Sequence, residues 1–393
     1  MSAEQVLDLV EKHERWRRDE CLNLIPSENV TSDAVRRLMM SDMGHRYTSH
    51  DRFYAGSRYI DEMEMVGENL AREVFKAEVA NLRPISGHMS DIILLSTFAK
   101  PMEKVMVVHP LNGGYPGLSE EGLLRVLGLQ NLYFPFDRKR MNIKVAESAD
   151  LIKKAKPRIV IFGASFFLFP HPVRELMEVC RDDEILVAYD GSHVLGLLAG
   201  GRFQNPFKDG ADILVGSTHK SFFGPQGGIM LAKKEFGEQI AAHVHPMLVD
   251  NAHWNRIAAL TMALAEVKTF GRNYANQVVK NAKALAKSLD QSGLAVVGKD
   301  YGFTESHQVI LDVGGFGAGR EVARRLENAN IITDSGVRLG TCEVTRYGMK
   351  ESEMNKIAEF IARILLKNER PHYVKRDVVK LRRQFEKIQF CFD

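Results

Sequence analysis

Lys220 closes the segment Ser217-Thr218-His219-Lys220, which continues the apolar run Ile213-Leu214-Val215 and leads into Gly224-Pro225-Gln226-Gly227-Gly228. Upstream, a second apolar run, Ile185-Leu186-Val187-Ala188-Tyr189, ends in Asp190 and is followed by His193. A lysine amine at a strand end can condense with an aldehyde cofactor as a Schiff base. A carboxylate at a neighbouring strand end can pair with a pyridinium nitrogen and keep it protonated, which makes the ring an electron sink. Singly, Lys220 reads as a solvated loop residue and Asp190 as a helix cap. Together with a phosphate-binding turn they point to pyridoxal 5'-phosphate (PLP), held covalently on Lys220. Ser86-Gly87-His88 supplies that turn. It follows a strand and opens a helix, where backbone N–H groups bind a phosphate and glycine permits close approach. Ser217 and His219 are further phosphate contacts, and Tyr115, after Asn112-Gly113-Gly114, is placed to stack on the pyridine ring.

These residues need a scaffold that brings strand ends together. The pattern predicts strands at 79–83, 105–109, 158–163, 185–190, 211–216 and 227–232, with helices at 61–76, 87–98, 117–127, 145–155 and 172–181. Such alternation predicts an α/β fold with a mostly parallel central sheet flanked by helices, and such sheets bind ligands at the carboxyl ends of their strands. The last strand is expected to return antiparallel through the Gly224-Pro225 turn. Residues 254–290 read as one or two long helices with Gly271 as the weak point. Helices at 319–328 and 351–367 and a final tail helix, with short strands, predict a smaller C-terminal α+β domain. Residues 4–19 read as an amphipathic helix with Val6, Leu7, Leu9 and Val10 on one side, docked either on its own domain or on a partner subunit. The division expected is an N-terminal arm at 1–30, a large PLP-binding domain at 31–270 and a small domain at 271–393.

Composition excludes several alternatives. The chain has 393 residues and a formal net charge of +3, and no basic cluster interleaves with aromatics, so nucleic acid is not an expected partner. Cys21, Cys180, Cys342 and Cys391 lie far apart without metal-ligand spacing and read as reduced thiols, with no metal site. The polar stretch from Met1 to Arg18 is not a secretory signal, and no apolar run has the length of a membrane span. The expectation is a cytoplasmic protein without a membrane partner.

Several motifs resemble those of the serine hydroxymethyltransferase family over nearly the whole chain. They are Leu24-Ile25-Pro26-Ser27-Glu28-Asn29, Tyr47 with Arg52-Phe53-Tyr54-Ala55-Gly56, Asp190-Gly191-Ser192-His193-Val194-Leu195-Gly196-Leu197, and Ser217-Thr218-His219-Lys220 with Gly224-Pro225. Gln277-Val278-Val279-Lys280-Asn281-Ala282-Lys283-Ala284 and Val337-Arg338-Leu339-Gly340-Thr341 with Thr345-Arg346 complete the set. The resemblance implies the PLP-dependent transferase fold of the aspartate-aminotransferase type. It implies Lys220 as the Schiff-base lysine, Asp190 as the pyridinium partner, His193 against the cofactor's phenolic oxygen, and Ser86 and Gly87, with neighbouring His88, on the phosphate. Ser165 would lie near the ring, and Tyr115 stands where the family has a stacking histidine. Ser27 would touch the substrate carboxylate, with Tyr47 and Tyr54 lining the pocket. A homodimer with shared active sites acting on a small amino acid is also implied.

The chain departs from the family in places that bear on its reaction. The family's loop glutamate position is Ser49, so His50 becomes the candidate proton carrier. The family's carboxylate-binding arginine directly precedes a glycine; here Tyr347 precedes Gly348. Arg346 is the preferred clamp and Arg338 the reserve, on the premise that this segment is a strand whose phase decides which side chain faces the site. The loop before Val337 is nearly absent, Pro110 and Pro116 replace leucines of the folate pocket, and His245-Pro246-Met247-Leu248 lacks the family's glycines. The expected reaction is reversible Cα–Cβ cleavage of L-serine to glycine with one-carbon transfer to a tetrahydropterin. The alternatives are a pterin-independent, threonine-aldolase-like enzyme, another PLP enzyme such as an aminotransferase, or a PLP-binding pseudoenzyme.

Overall fold

The computed structural model describes residues 2–48 and 53–392. They divide into two compact units. One joins the N-terminal segment through Asn29 to Asn276–Gln389; the other joins Val30–Ala275 to the C-terminal residues from Phe390.

The Val30–Ala275 unit is built on a seven-stranded sheet. Its strand order is Val79–Asn81, Gly228–Ala232, Ile213–Ser217, Leu186–Asp190, Ile159–Phe162, Lys104–Val107, Gln130–Tyr133. The five strands from Ile213–Ser217 to Gln130–Tyr133 run parallel, and Gly228–Ala232 pairs antiparallel with both of its neighbours. The central strands are buried along their whole length, as the continuous Ile-Val-Ile-Phe and Leu-Val-Ala-Tyr runs require of a sheet covered on both faces. The helices fall close to the predicted positions: Arg58–Phe75, Gly87–Phe98, Val145–Ala155 and Val173–Asp182.

Two local predictions differ from the structure. The strand Gln130–Tyr133 was not among those predicted, because an edge strand of half-exposed polar residues carries no strong apolar signal. The predicted 117–127 helix is only a 3-10 turn at Pro116–Leu118 and one helical turn at Leu123–Val126. Pro116, Gly117, Gly122 and Gly128 break the pattern, and Gly122 N–H turns back to Ser119 O. By contrast, Gly271 does not interrupt its helix, which runs unbroken from Trp254 to Gln291.

The other unit packs the second half of that helix with Gly319–Glu327, Glu351–Leu365 and Pro371–Arg382. Leu22, Leu285, Leu289, Ile331, Leu339, Ile357 and Ile361 belong to its core. Leu22–Asn23 pairs in parallel with Ile331–Ile332, which anchors the N-terminal segment in this unit. The N-terminal helix covers Ala3–His13, capped by a reciprocal Ser2–Gln5 pair, and widens into looser turns over Glu14–Glu20. Val6, Leu7, Leu9 and Val10 are all more than half exposed, so its apolar side is not docked on its own chain.

Candidate active site

The site in the sheet unit is assembled at strand ends. Asp190 terminates the central Leu186–Asp190 strand and is buried, with its Oδ1 accepting from Ser192 N–H at 2.9 Å. The next strand ends at Ser217, whose N–H donates to Ser192 Oγ at 3.0 Å, so the two strand ends are stitched through one serine. Beyond Ser217 the chain turns sharply. Thr218 N–H donates to Gly227 O, Gly224 N–H to Thr218 O, and Thr218 Oγ1 to Pro225 O at 2.7 Å. This closed turn presents His219 and Lys220, both half-buried. Burial and the Lys220 charge hold the His219 imidazole down to about 4, so it is neutral at ordinary pH.

Facing this turn is the N-terminus of the Gly87–Phe98 helix. Ser86 caps it by accepting from Met89 N–H at 3.0 Å. Ser90 N–H already reaches Ser86 O, so the amides of Gly87 and His88 lie ahead of the helix's own ladder, where a helix offers donors to an anion. Gly87 is required by close approach: a Cβ there would sit 2.1 Å from Ser217 Oγ. Ser86, Gly87 and Ser217, separated in sequence, therefore share one cradle.

Asp91, not singled out from the sequence, belongs here. It lies one turn beyond Gly87 on the same helix face and is buried. Burial, then the Asp190 carboxylate, push its carboxyl well above the usual range, with Lys220 opposing. Among the described residues its Oδ1 has no hydrogen-bond partner. The Gly87–Asp91 spacing was the available signal, but a single aspartate in the second turn of an otherwise apolar helix carries no pattern of its own.

Tyr115 reaches the same place from the loop after Lys104–Val107. That loop is tied to the loop after Ile159–Phe162, where Ser165 and Phe166 N–H both donate to Gly113 O at 2.8 and 2.9 Å. The Tyr115 hydroxyl meets His88 Nδ1 at 3.0 Å. His193 is buried just past Asp190.

Tyr47 and Tyr54 form an exposed aromatic pair with ring centroids 5.5 Å apart. His50 lies outside the described residues. In the other unit, Ser27 follows Pro26, whose carbonyl contacts His307 Nε2 at 3.0 Å. Arg346 is fully buried and donates from Nη1 to Gln389 O at 2.6 Å. Arg346 sits at the end of the short helix Cys342–Arg346, so the premise of a strand there does not hold, and alternation of faces says nothing about which side chain is presented. Arg338, on the strand Arg338–Gly340, is ion-paired with Asp334 at 2.7 Å.

The residues present fit PLP. A buried carboxylate and a half-buried amine stand at adjacent strand ends. Beside them is a helix N-terminus whose first residue must lack a side chain. A phosphate, a pyridinium nitrogen and an aldehyde each find a matching group.

The sequence profile of serine hydroxymethyltransferase matches residues 1–361. A serine hydroxymethyltransferase of Methanocella arvoryzae is 43% identical, over 99% of this chain and 96% of that protein. One from Pyrococcus furiosus is 41% identical, over 99% and 97%. Among solved structures, the L-threonine transaldolase from Pseudomonas fluorescens in its internal aldimine state superposes with a TM-score of 0.93 at 29% identity, over 99% of this chain and 94% of that one. The fold is the aspartate-aminotransferase type of PLP-dependent enzymes. By its fold and by similarity along its length, this chain belongs to the serine hydroxymethyltransferase family.

Proposed function

We propose that this chain is a PLP-dependent hydroxymethyltransferase that reversibly breaks the Cα–Cβ bond of L-serine and passes the one-carbon unit to a tetrahydropterin. The observation that carries the reading is the meeting of Lys220, Asp190 and the Gly87 cradle in a chain similar along its length to serine hydroxymethyltransferases. Bound there, PLP would supply the electron sink for the carbanion left at Cα when that bond breaks.

The chain's own groups then have these roles. Lys220 would hold the cofactor through its side-chain amine. Asp190, kept in place by Ser192 N–H, would face the pyridine nitrogen and hold its proton there. Asp91 is driven neutral beside it, so the two buried carboxyls do not compete as like charges. Ser86, Gly87, His88, Ser217 and His219 hold the phosphate; neutral His219 does so as a hydrogen-bond donor rather than a charge. Tyr115 supplies the aromatic face over the ring and His193 contacts the phenolic oxygen, with Ser165 nearby. Ser27 and Arg346 bind the substrate carboxylate, Tyr47 and Tyr54 line its pocket, and His50 is a further proton carrier. Arg346 is preferred to Arg338 as the carboxylate clamp because its guanidinium can grip a carboxylate with two parallel hydrogen bonds from beside the Gly348 position. The assembly is a cytoplasmic homodimer with shared sites; the exposed Val6, Leu7, Leu9 and Val10 side of the N-terminal helix supports a partner subunit.

A second reading is a pterin-independent aldol enzyme of β-hydroxy-α-amino acids. It is favoured by the likeness to an L-threonine transaldolase and by the short segment Ile331-Ile332-Thr333-Asp334-Ser335-Gly336 where the family has a long loop. Glycine formation from L-serine and acetaldehyde release from L-threonine, each with and without a tetrahydropterin, separate the two. Serine conversion that requires the pterin supports the first reading, and pterin-independent threonine cleavage supports the second. No turnover of either amino acid by protein that carries the cofactor would overturn both.

A further inference from the structure

The family's loop glutamate is replaced by Ser49, yet cleavage of a β-hydroxy amino acid still requires a group to take the β-hydroxyl proton. At the site, Tyr115 and His88 form a hydrogen-bonded pair of proton carriers. The phenol oxygen and His88 Nδ1 are 3.0 Å apart, and the rings stand at 90° with centroids 6.0 Å apart. Both positions are enforced. Tyr115 follows the Gly113-Gly114 turn and its ring covers Gly117, where a Cβ would lie 2.5 Å from the ring carbons. His88 is the second residue of a helix held against the Ser217 strand end by Gly87, and it is exposed on its other side.

We infer that Tyr115 and His88 form a two-residue proton relay that accepts the β-hydroxyl proton of the substrate, in place of the missing loop carboxylate. The inference rests on the aldol-type reading above. Burial first, then Asp91 of the same helix as His88 and Asp190 of the central strand, push the Tyr115 hydroxyl up to about 12. The phenol therefore keeps its proton at rest and donates it to His88 Nδ1, which leaves the Nε2–H tautomer facing outward. In the reacting step the substrate O–H bond breaks and its proton bonds to Tyr115 Oη. At the same time the Tyr115 O–H bond breaks and that proton bonds to His88 Nδ1. The phenol ends neutral and the imidazole cationic. The electron pair left on the substrate oxygen forms the aldehyde C=O as the Cα–Cβ bond breaks, and the pair from that bond passes to the cofactor ring. Direct ionisation of Tyr115 is disfavoured chiefly by burial; coupled transfer avoids the phenolate. Exposed His88 then gives one proton to solvent and returns to its Nε2–H tautomer by exchange with water, which frees Nδ1 to accept again.

The test pairs kinetics with a measurement on cofactor-free protein. Tyr115→Phe keeps the aromatic face and removes only the hydroxyl; His88→Gln removes the acceptor. Each is expected to lower kcat for serine or threonine cleavage about 100-fold, with KM within about twofold and the PLP absorption band retained, and the double variant is expected to be no slower than the slower single one. In cofactor-free protein, the 15N signal of His88 Nδ1, identified by its loss in His88→Gln, is expected at an unprotonated acceptor position and displaced in Tyr115→Phe. Wild-type kcat in either variant, multiplicative losses in the double variant, or a His88 signal indifferent to Tyr115→Phe would each overturn the relay. Failure of the wild-type protein to cleave either amino acid would instead count against the reaction class, while the NMR arm would still decide whether the pair exists.

Discussion

Two sets of buried polar groups, one in each compact unit, are arranged in opposite ways. In the sheet unit, buried Asp91, Asp190, Ser192 and Ser217, with half-buried Lys220, gather at strand ends, where Asp91 keeps an oxygen without a hydrogen-bond partner among the described residues and feels the Asp190 charge. In the unit containing Asn276–Gln389, a set around Asn281, Thr341 and Asn23 is bound into a closed frame. Asn281 Nδ2 donates to Thr345 Oγ1 and Met349 O, at 2.8 and 2.9 Å. Thr341 Oγ1 donates to Val278 O, and Asn23 Nδ2 donates to Glu343 at 2.7 Å and to Glu28 at 2.9 Å. A set of polar groups that satisfies itself stabilises a fold. A set left partly unsatisfied and electrostatically strained is arranged for something that binds.

The largest expected effect that tests this contrast comes from the least replaceable group. Lys220→Ala is expected to abolish the protein-bound cofactor's absorption shift and lower turnover on the order of a thousandfold or more; a cofactor spectrum like the wild type's would refute the site. Asp190→Asn keeps shape and removes charge. It is expected to cost about 100- to 1,000-fold in kcat and to bring the Asp91 carboxyl back toward its ordinary range, because Asp190 is one of the causes that raise it. An unchanged Asp91 carboxyl signal in infrared titration would show that the two do not interact.

The closed frame makes a different prediction. Burial pushes the Glu343 carboxyl from its ordinary 4.5 up to about 7, and the Asn23 hydrogen bond only partly opposes it. A carboxyl raised on folding binds more protons folded than unfolded. Its contribution is present below about 4.5 and is lost as pH rises through about 7. Glu343→Gln is expected to remove this dependence, worth on the order of 3 kcal/mol, and to flatten the decline of thermal stability between those pH values. Glu68 in the sheet unit, also raised to about 7 by burial, leaves a residual slope of the same sign. A variant as pH-sensitive as wild type would place the cause elsewhere. The smallest effect is Ser86→Ala. It removes a helix cap worth about 1 kcal/mol and should weaken PLP retention measured by dialysis; unchanged retention would remove Ser86 from the phosphate cradle.

Much of the sheet unit was legible because its signals are local. An apolar strand punctuated by Asp190 or Ser217 announces both the strand and the functional end, since parallel strands are buried on both faces and only their ends meet solvent. Ser86-Gly87 was legible for the same reason, as a cap at a strand-to-helix junction. Gln130–Tyr133 was not, because an edge strand lacks that apolar run. The Arg346 segment was misjudged as a strand because a short motif with a few apolar residues does not distinguish one turn of helix from a strand.

By itself, the sequence determined the order of the sheet unit's main elements, the aspartate and lysine at neighbouring strand ends, and the glycine that opens the Gly87–Phe98 helix. These depend on periodicity and on residue type, which neighbours along the chain suffice to express. Only the tertiary structure decided that Asp91 stands against Asp190, that Gly87 is glycine because Ser217 Oγ occupies its Cβ space, and that the Tyr115 hydroxyl is bound to His88. Each of these depends on a distance between residues far apart in the chain. Burial in a common low-dielectric space turns such a distance into a displaced proton affinity, and no pattern along the chain encodes it.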